Sequence, residues 1–186
     1  MDIYYYDDDT MGLHPLTSHP LYRKYFTSPF YYSNTERSVP FGSDEGSDAL
    51  WEMEEVLRRR PKADLRDFPA HVLRKLHSLA YYPPHGESIE ELRRIDAAAS
   101  AEAHPSLQEL RSTDRMIIAS ALAQLKITGS LSEQLYQLAL LAITRLERIR
   151  GLGQNVWLTS SMLMTIQSDL KLYRSSRPTA QQAVGA

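Results

Sequence analysis

Cysteine is absent from the 186 residues. That removes disulfides, thiolate metal sites and cysteine nucleophiles together, so the folded state must rest on packing. No uninterrupted apolar run approaches the roughly 18 residues that a membrane-spanning helix needs. Met1 is followed by an acidic, tyrosine-rich stretch where a signal peptide would carry a basic and then an apolar region, so neither a span nor a signal peptide is expected. A cytoplasmic or nuclear location follows as the expectation, a virion-associated one included. Phosphate loops, GxGxxG turns and GxSxG elbows are also missing. Histidines His14, His19, His71, His77, His85 and His104 form no HExxH frame and no i, i+4 pair. Asp7, Asp8 and Asp9 lack the alternation and glycine of an EF-hand loop. The expectation is therefore a protein with no metal, no cofactor and no catalytic residues.

The composition is that of a globular chain, with 42% hydrophobic and 24% charged residues. A net charge of −2 gives no global argument for nucleic acid. The charge is divided unevenly, however. Residues 1–50 carry eight acids against three bases, and residues 51–186 carry fifteen against eighteen, so an acidic leader precedes a mildly basic body.

That leader has its own character. Seven of the eleven tyrosines fall between Tyr4 and Tyr32, in company with Pro15, Pro20, Pro29 and Pro40, and no apolar period persists. We read residues 1–47 as an arm, with Phe41 to Ser47 as its hinge. Its aromatics Tyr22, Tyr25, Phe26, Phe30, Tyr31 and Tyr32 offer area to bury against the body, a second copy or a partner, and are the expected partner-docking residues. Tyr4, Tyr5 and Tyr6 beside three aspartates resemble an acidic kinase context, and Tyr32-Ser33-Asn34 has the form that SH2 adaptors accept once phosphorylated.

Residues 48–175 read as helices throughout. The spacing predicts a helix over 48–60 ended by Pro61, a second over 69–81, and a third opened by the Ser88/Glu91 capping box and running into the alanines up to Ala103. A short piece around Leu107 and Leu110 precedes a helix over 114–128 closed by Gly129. The longest stripe runs over 130–150, with Leu131, Leu135, Leu138, Ala142, Leu146 and Ile149 on one side, and Ser130 and Glu133 at capping-box spacing. Tyr136, Leu140 and Ile143 widen this stripe, which makes it the expected organising helix with apolar surface to spare for a second copy. A last helix over 156–174 precedes a flexible tail at 176–186. The expected fold class is all-α, a bundle of five to six helices with an extended, irregular Tyr/Pro-rich N-terminal arm.

Two basic groups stand out. Arg58, Arg59, Arg60 and Lys62 flank Pro61, and Arg145, Arg148 and Arg150 end the longest stripe, with Lys171, Arg174 and Arg177 on the last helix and beyond. Either they are solvated cations matching helix dipoles, or they contact nucleic-acid phosphates. The stretch Phe68, Pro69, Val72, Leu73, Leu76, Leu79 resembles the opening of an F-box, and that resemblance implies docking to a Skp-type ubiquitin-ligase adaptor. The leading expectation is a non-enzymatic helical protein for protein–protein interaction or assembly, structural or accessory in the manner of small viral proteins. Its partner is another protein or itself as a homo-oligomer. The alternative is a nucleic-acid-binding protein of nucleocapsid or regulatory type that uses the Arg clusters and is masked by the acidic arm.

Overall fold

The computed structural model describes residues 4–98 and 105–176. Ala103, His104, Arg177 and the tail after it lie outside the described residues. The protein is all-α, with seven helices and no strand among the described residues. The arm is irregular, with short 3₁₀ turns at Pro15–Thr17 and Pro29–Tyr32 on either side of α1 (Pro20–Tyr25). Proline opens all three turns, where its missing N–H leaves no bond unmade.

Six helices make the body: α2 (Asp44–Arg59), α3 (Phe68–His77), α4 (Ile89–Ala98), α5 (Leu107–Thr128), α6 (Glu133–Gly151) and α7 (Ser160–Ser175). The expected hinge at Phe41–Ser47 is instead a packed helix start. Phe41 is buried, Ser43 caps the Gly46 N–H, and a Cβ on Gly46 would lie 2.0 Å from the Pro40 carbonyl oxygen. Glycine is there for close approach, not for freedom of motion. The Ser88/Glu91 capping box forms as expected, with both reciprocal bonds present.

The organising helix is α5, not the stripe over 130–150. From Ser112 to Ile127 only Arg115 and Gln124 escape burial, and α5 packs against α1, α2, α3, α4 and α6. A helix apolar nearly all round belongs in the middle. Ser112, Thr113 and Asp114 look like a terminus in sequence, which is why the spacing predicts a short piece and then a helix over 114–128. Within the fold Asp114 is bonded by Arg145, and the N-terminus lies earlier, at a Ser106/Glu109 capping box. The start of α6 also moves: Ser132 is its cap, and Ser130 bonds Thr128. The α6 stripe meets α4, α5 and α7, so less of it is left for a second copy than its width suggests.

The arm lies on this body. Tyr22, Phe26 and Tyr31 are wholly buried, with the Tyr22 and Phe26 rings stacked at 4.8 Å and Tyr31 edge-on to Phe26 at 5.2 Å. Tyr25 meets Tyr173 of α7 edge-on at 5.9 Å, and the Tyr31 hydroxyl donates to Asp169 of α7 at 2.7 Å. Backbone bonds from Tyr5 to Ile127 and from His19 to Lys126 tie the arm to the end of α5. Gly129 completes the fit. It sits at φ +64° after α5, and a Cβ there would strike the His19 ring at 2.1 Å.

Candidate docking face

Burial separates the cations that build the fold from those that face solvent. Arg145 is 1% exposed and donates to Asp114 through Nε at 2.9 Å and Nη2 at 2.7 Å, to Glu87 through Nη1 at 2.5 Å, and to the Tyr82 carbonyl. Arg148 donates to the Gly86 and Glu87 carbonyls, and Arg150 is half-buried with Nε and Nη2 enclosed. The expected nucleic-acid contact is thus corrected for Arg145, which is buried: Arg145 fastens α6 to α5 and to the Tyr82–Glu87 loop, and Arg148 adds bonds to the same loop. Burial raises the Asp114 carboxyl to about 7, although Arg145 draws it down. Burial also acts to raise Glu87, but bonds from its own backbone and from Arg145 outweigh it and hold that carboxyl low. Two acids around one guanidinium would leave a net negative charge inside the protein, so one of them keeps its proton more readily.

A second buried cation ties the arm down. Lys126 of α5 is 0% exposed and reaches Asp7 at 2.7 Å, Glu54 of α2 at 3.2 Å and the Thr17 carbonyl. Of the six aromatics expected to dock a partner, three are corrected by burial in the chain's own core. Tyr22, Phe26 and Tyr31 have no surface to offer, and Tyr25, Phe30 and Tyr32 are half-buried against the same core, with the Tyr32 hydroxyl donating to the Phe26 carbonyl. The apolar area of the first three is satisfied within the chain. The F-box-like stretch fares the same way: Phe68, Val72 and Leu73 are buried under α5, which leaves Leu76 exposed and Leu79 half-buried.

The other basic group remains at the surface. Arg58 pairs with Glu54 and lies over the Tyr6 ring at 4.3 Å, Arg59 pairs with Glu55, and Arg60 and Lys62 are exposed. Between residues 58 and 77 seven bases stand against two acids, a local net charge of +5 within a chain of −2. α3 lies alongside α2 and adds His71, Arg74 and Lys75, all exposed, with Lys75 also bonded to Glu52 at 2.6 Å. A cleft of about 240 Å³ opens at the start of α2 among Arg37, Glu45, Ser112, Arg115 and Trp157. Another, of about 220 Å³, opens between α2 and α3, walled by Trp51, Arg59, Arg60 and Lys75 together with the acids Glu52 and Glu55.

Trp51 and Trp157, the only tryptophans, are 59% and 42% exposed. Trp51 lies on the solvent stripe of α2 that runs through Asp44, Asp48, Glu55 and Arg59, so both clefts open along one side of that helix. Trp157 holds a left-handed backbone at φ +66°, fixed by a bond from its N–H to the Asn155 side chain. Around the first cleft, Glu45 accepts from Ser112 and Arg115, and the Arg115 Nε is enclosed without a partner. A further hollow of about 260 Å³ lies at His85, Glu91 and Arg94, where His85 stands 3.5 Å from Glu87, itself bonded to Arg145.

The chain resembles one bacterial protein. It is 34% identical over 145 residues to the uncharacterized protein YfeS of Escherichia coli (strain K12), across 78% of this chain and 57% of that one. The chain thus spans a little over half the length of this relative. No protein-family model matches, and no solved structure does. A relative from a bacterium lends no support to the viral analogy. Among the described residues there is no group of three His, Asp or Glu side chains placed for a metal, and no helix long and apolar enough to cross a membrane.

Trp51 lies off the stripe Leu50, Met53, Val56 and Leu57 that the sequence spacing turns inward on α2, of which Val56 is only half-buried. The available signal was an indole four residues before Glu55 and seven after Asp44, on the polar stripe of an otherwise ordinary amphipathic helix.

Proposed function

We propose that the protein is a non-enzymatic docking protein that engages a protein partner through the outer side of α2 and α3. The reading rests on one observation above others: Trp51, more than half exposed, lines a cleft whose other walls include Arg59, Arg60 and Lys75. Tryptophan is costly to leave in water, and tryptophan with arginine is the pairing that contributes most of the binding energy at protein interfaces. Three strongly shifted groups lie away from this cleft, Asp114 and Tyr31 bonded to structural partners and Tyr22 enclosed in the arm's aromatic cluster, which favours binding over catalysis.

Nucleic-acid binding is the second reading, and the net charge of +5 over residues 58–77 favours it. It draws on Arg58, Arg59, Arg60 and Lys62 of the cations first considered, and it shares the face with Glu55 and Asp48. The test is capture of partners from the native host with the full chain as bait, followed by titration of the purified partner. Trp51→Ala and Arg60→Glu should each weaken binding by about tenfold or more, as truncation of an interface anchor does. Affinity unchanged in both variants would overturn the proposal, because both side chains are exposed and their loss leaves the core intact.

A further inference from the structure

The α2–α3 face carries a clue to the chemistry of its partner, because the chain has already seated one segment beside it. The arm sequence Tyr4 to Asp9 reads YYYDDD. Its Tyr6 ring lies under the Arg58 guanidinium at 4.3 Å, its Asp7 carbonyl accepts from Arg58 at 3.2 Å, and its Tyr4 hydroxyl donates to the Pro61 carbonyl. An acidic, tyrosine-bearing strand thus rests on the last turn of α2, held by cation–π and hydrogen-bond contacts. Just past the end of α2, Arg60 and Lys62 stand exposed, and neither side chain bonds any other group among the described residues. The cleft with Trp51 at its edge is next to them.

We infer that this face binds an acidic partner segment bearing aromatic side chains, of the same chemistry as the chain's own Tyr4–Asp9 stretch. The inference rests on the docking reading above and names the class of partner that reading leaves open. Two independent features carry it. Arg58, Arg59 and Lys75 pair with Glu54, Glu55 and Glu52, and the cations left over, Arg60 and Lys62, are complementary to carboxylates, which steers association and selects against basic partners. The exposed indole of Trp51 and the cations on the same walls offer an aromatic side chain both a ring to pack on and a guanidinium to lie under, as Arg58 does for Tyr6.

The experiment titrates a fluorescein-labelled YYYDDD peptide with the full chain, next to a YYYNNN control and an oligo(dT) strand. Saturable binding of YYYDDD that weakens with salt, falls about tenfold or more in Arg60→Glu and in Trp51→Ala, and is lost in YYYNNN is the expected result. Equal binding of YYYNNN would overturn the inference by removing charge as the cause. Binding of oligo(dT) with none of YYYDDD would overturn it in favour of nucleic acid. If YYYDDD fails while a purified protein partner still depends on Trp51, this inference falls alone and the docking reading stands. If partner capture is also indifferent to Trp51, both fall.

Discussion

Tyr22 and Tyr31 are both wholly buried in the arm, yet their hydroxyls differ in what they meet. The Tyr31 O–H donates to Asp169, whereas the Tyr22 O–H is enclosed without a partner. A buried polar group left unpaired costs about 1–3 kcal/mol, while a bond to a charged acceptor is worth about as much in the other direction. Tyr22→Phe should therefore leave stability unchanged or raise it, and Tyr31→Phe should lower it by roughly 1–3 kcal/mol in urea unfolding. The reverse order would mean that the two environments are assigned wrongly. Asp114 gives a second test at this scale. Its carboxyl titrates near 7 in the folded protein, against 3.8 ordinarily, because burial disfavours its charge. The folded state then holds the proton more tightly than the unfolded chain, so the contribution is full below pH 4 and is lost as pH rises through 7. Glu87, held low, acts oppositely: its contribution is present above its ordinary 4.5 and fades as pH falls below it. Between pH 4.5 and 7.5 the wild-type protein should lose stability that Asp114→Asn does not lose, read as the slope of unfolding free energy against pH. Parallel slopes would contradict the assignment.

At the level of elements, the legible features were those written by periodicity and caps. The all-α class, the Ser88/Glu91 opening of α4 and the Gly129 end of α5 follow from local sequence, because a stripe at 3.6 spacing and a left-handed glycine are short-range signals. The continuity of α5 was not legible. Its Ser112-Thr113-Asp114 stretch is polar by any local rule, and only the distant Glu45 and Arg145 make that polarity compatible with burial. The candidate face is half-visible: the Arg58–Lys62 cluster and the indole on the polar stripe of α2 are written in the sequence, while the joining of Lys75 to them needs the placement of α3 beside α2. The Lys126 junction belongs to this scale too, since one ammonium joins α5 to α2 and to the arm. Lys126→Met removes the cation and leaves the Asp7 and Glu54 carboxylates facing each other, so a loss of roughly 3–5 kcal/mol is expected in chemical denaturation. A loss below about 1 kcal/mol would show that the junction is solvated and contributes like a surface pair.

For the whole molecule, the consequence is an exchange of roles between its two ends. An aromatic leader that reads as a free, reaching arm is covered by α5 and α7, and its large side chains supply core area that the body would otherwise lack. On the proposed reading, contact with other molecules falls to the outer side of α2 and α3, where the Trp51 indole and the Arg60 and Lys62 cations remain outside. Sequence alone names body, second copy and partner as destinations for the arm and points to a partner, because composition records how much apolar area a segment carries and not what covers it. The measurement that decides between them is amide hydrogen exchange of the full chain, resolved over residues 4–32 and over α5. A docked arm requires that the amides of Tyr22 to Phe26 exchange at rates comparable to those of α5, with protection lost only on global unfolding. Exchange of that segment at the rate of an unstructured peptide, while α5 stays protected, would return the aromatics to solvent and remove the ground for placing the docking face on α2 and α3.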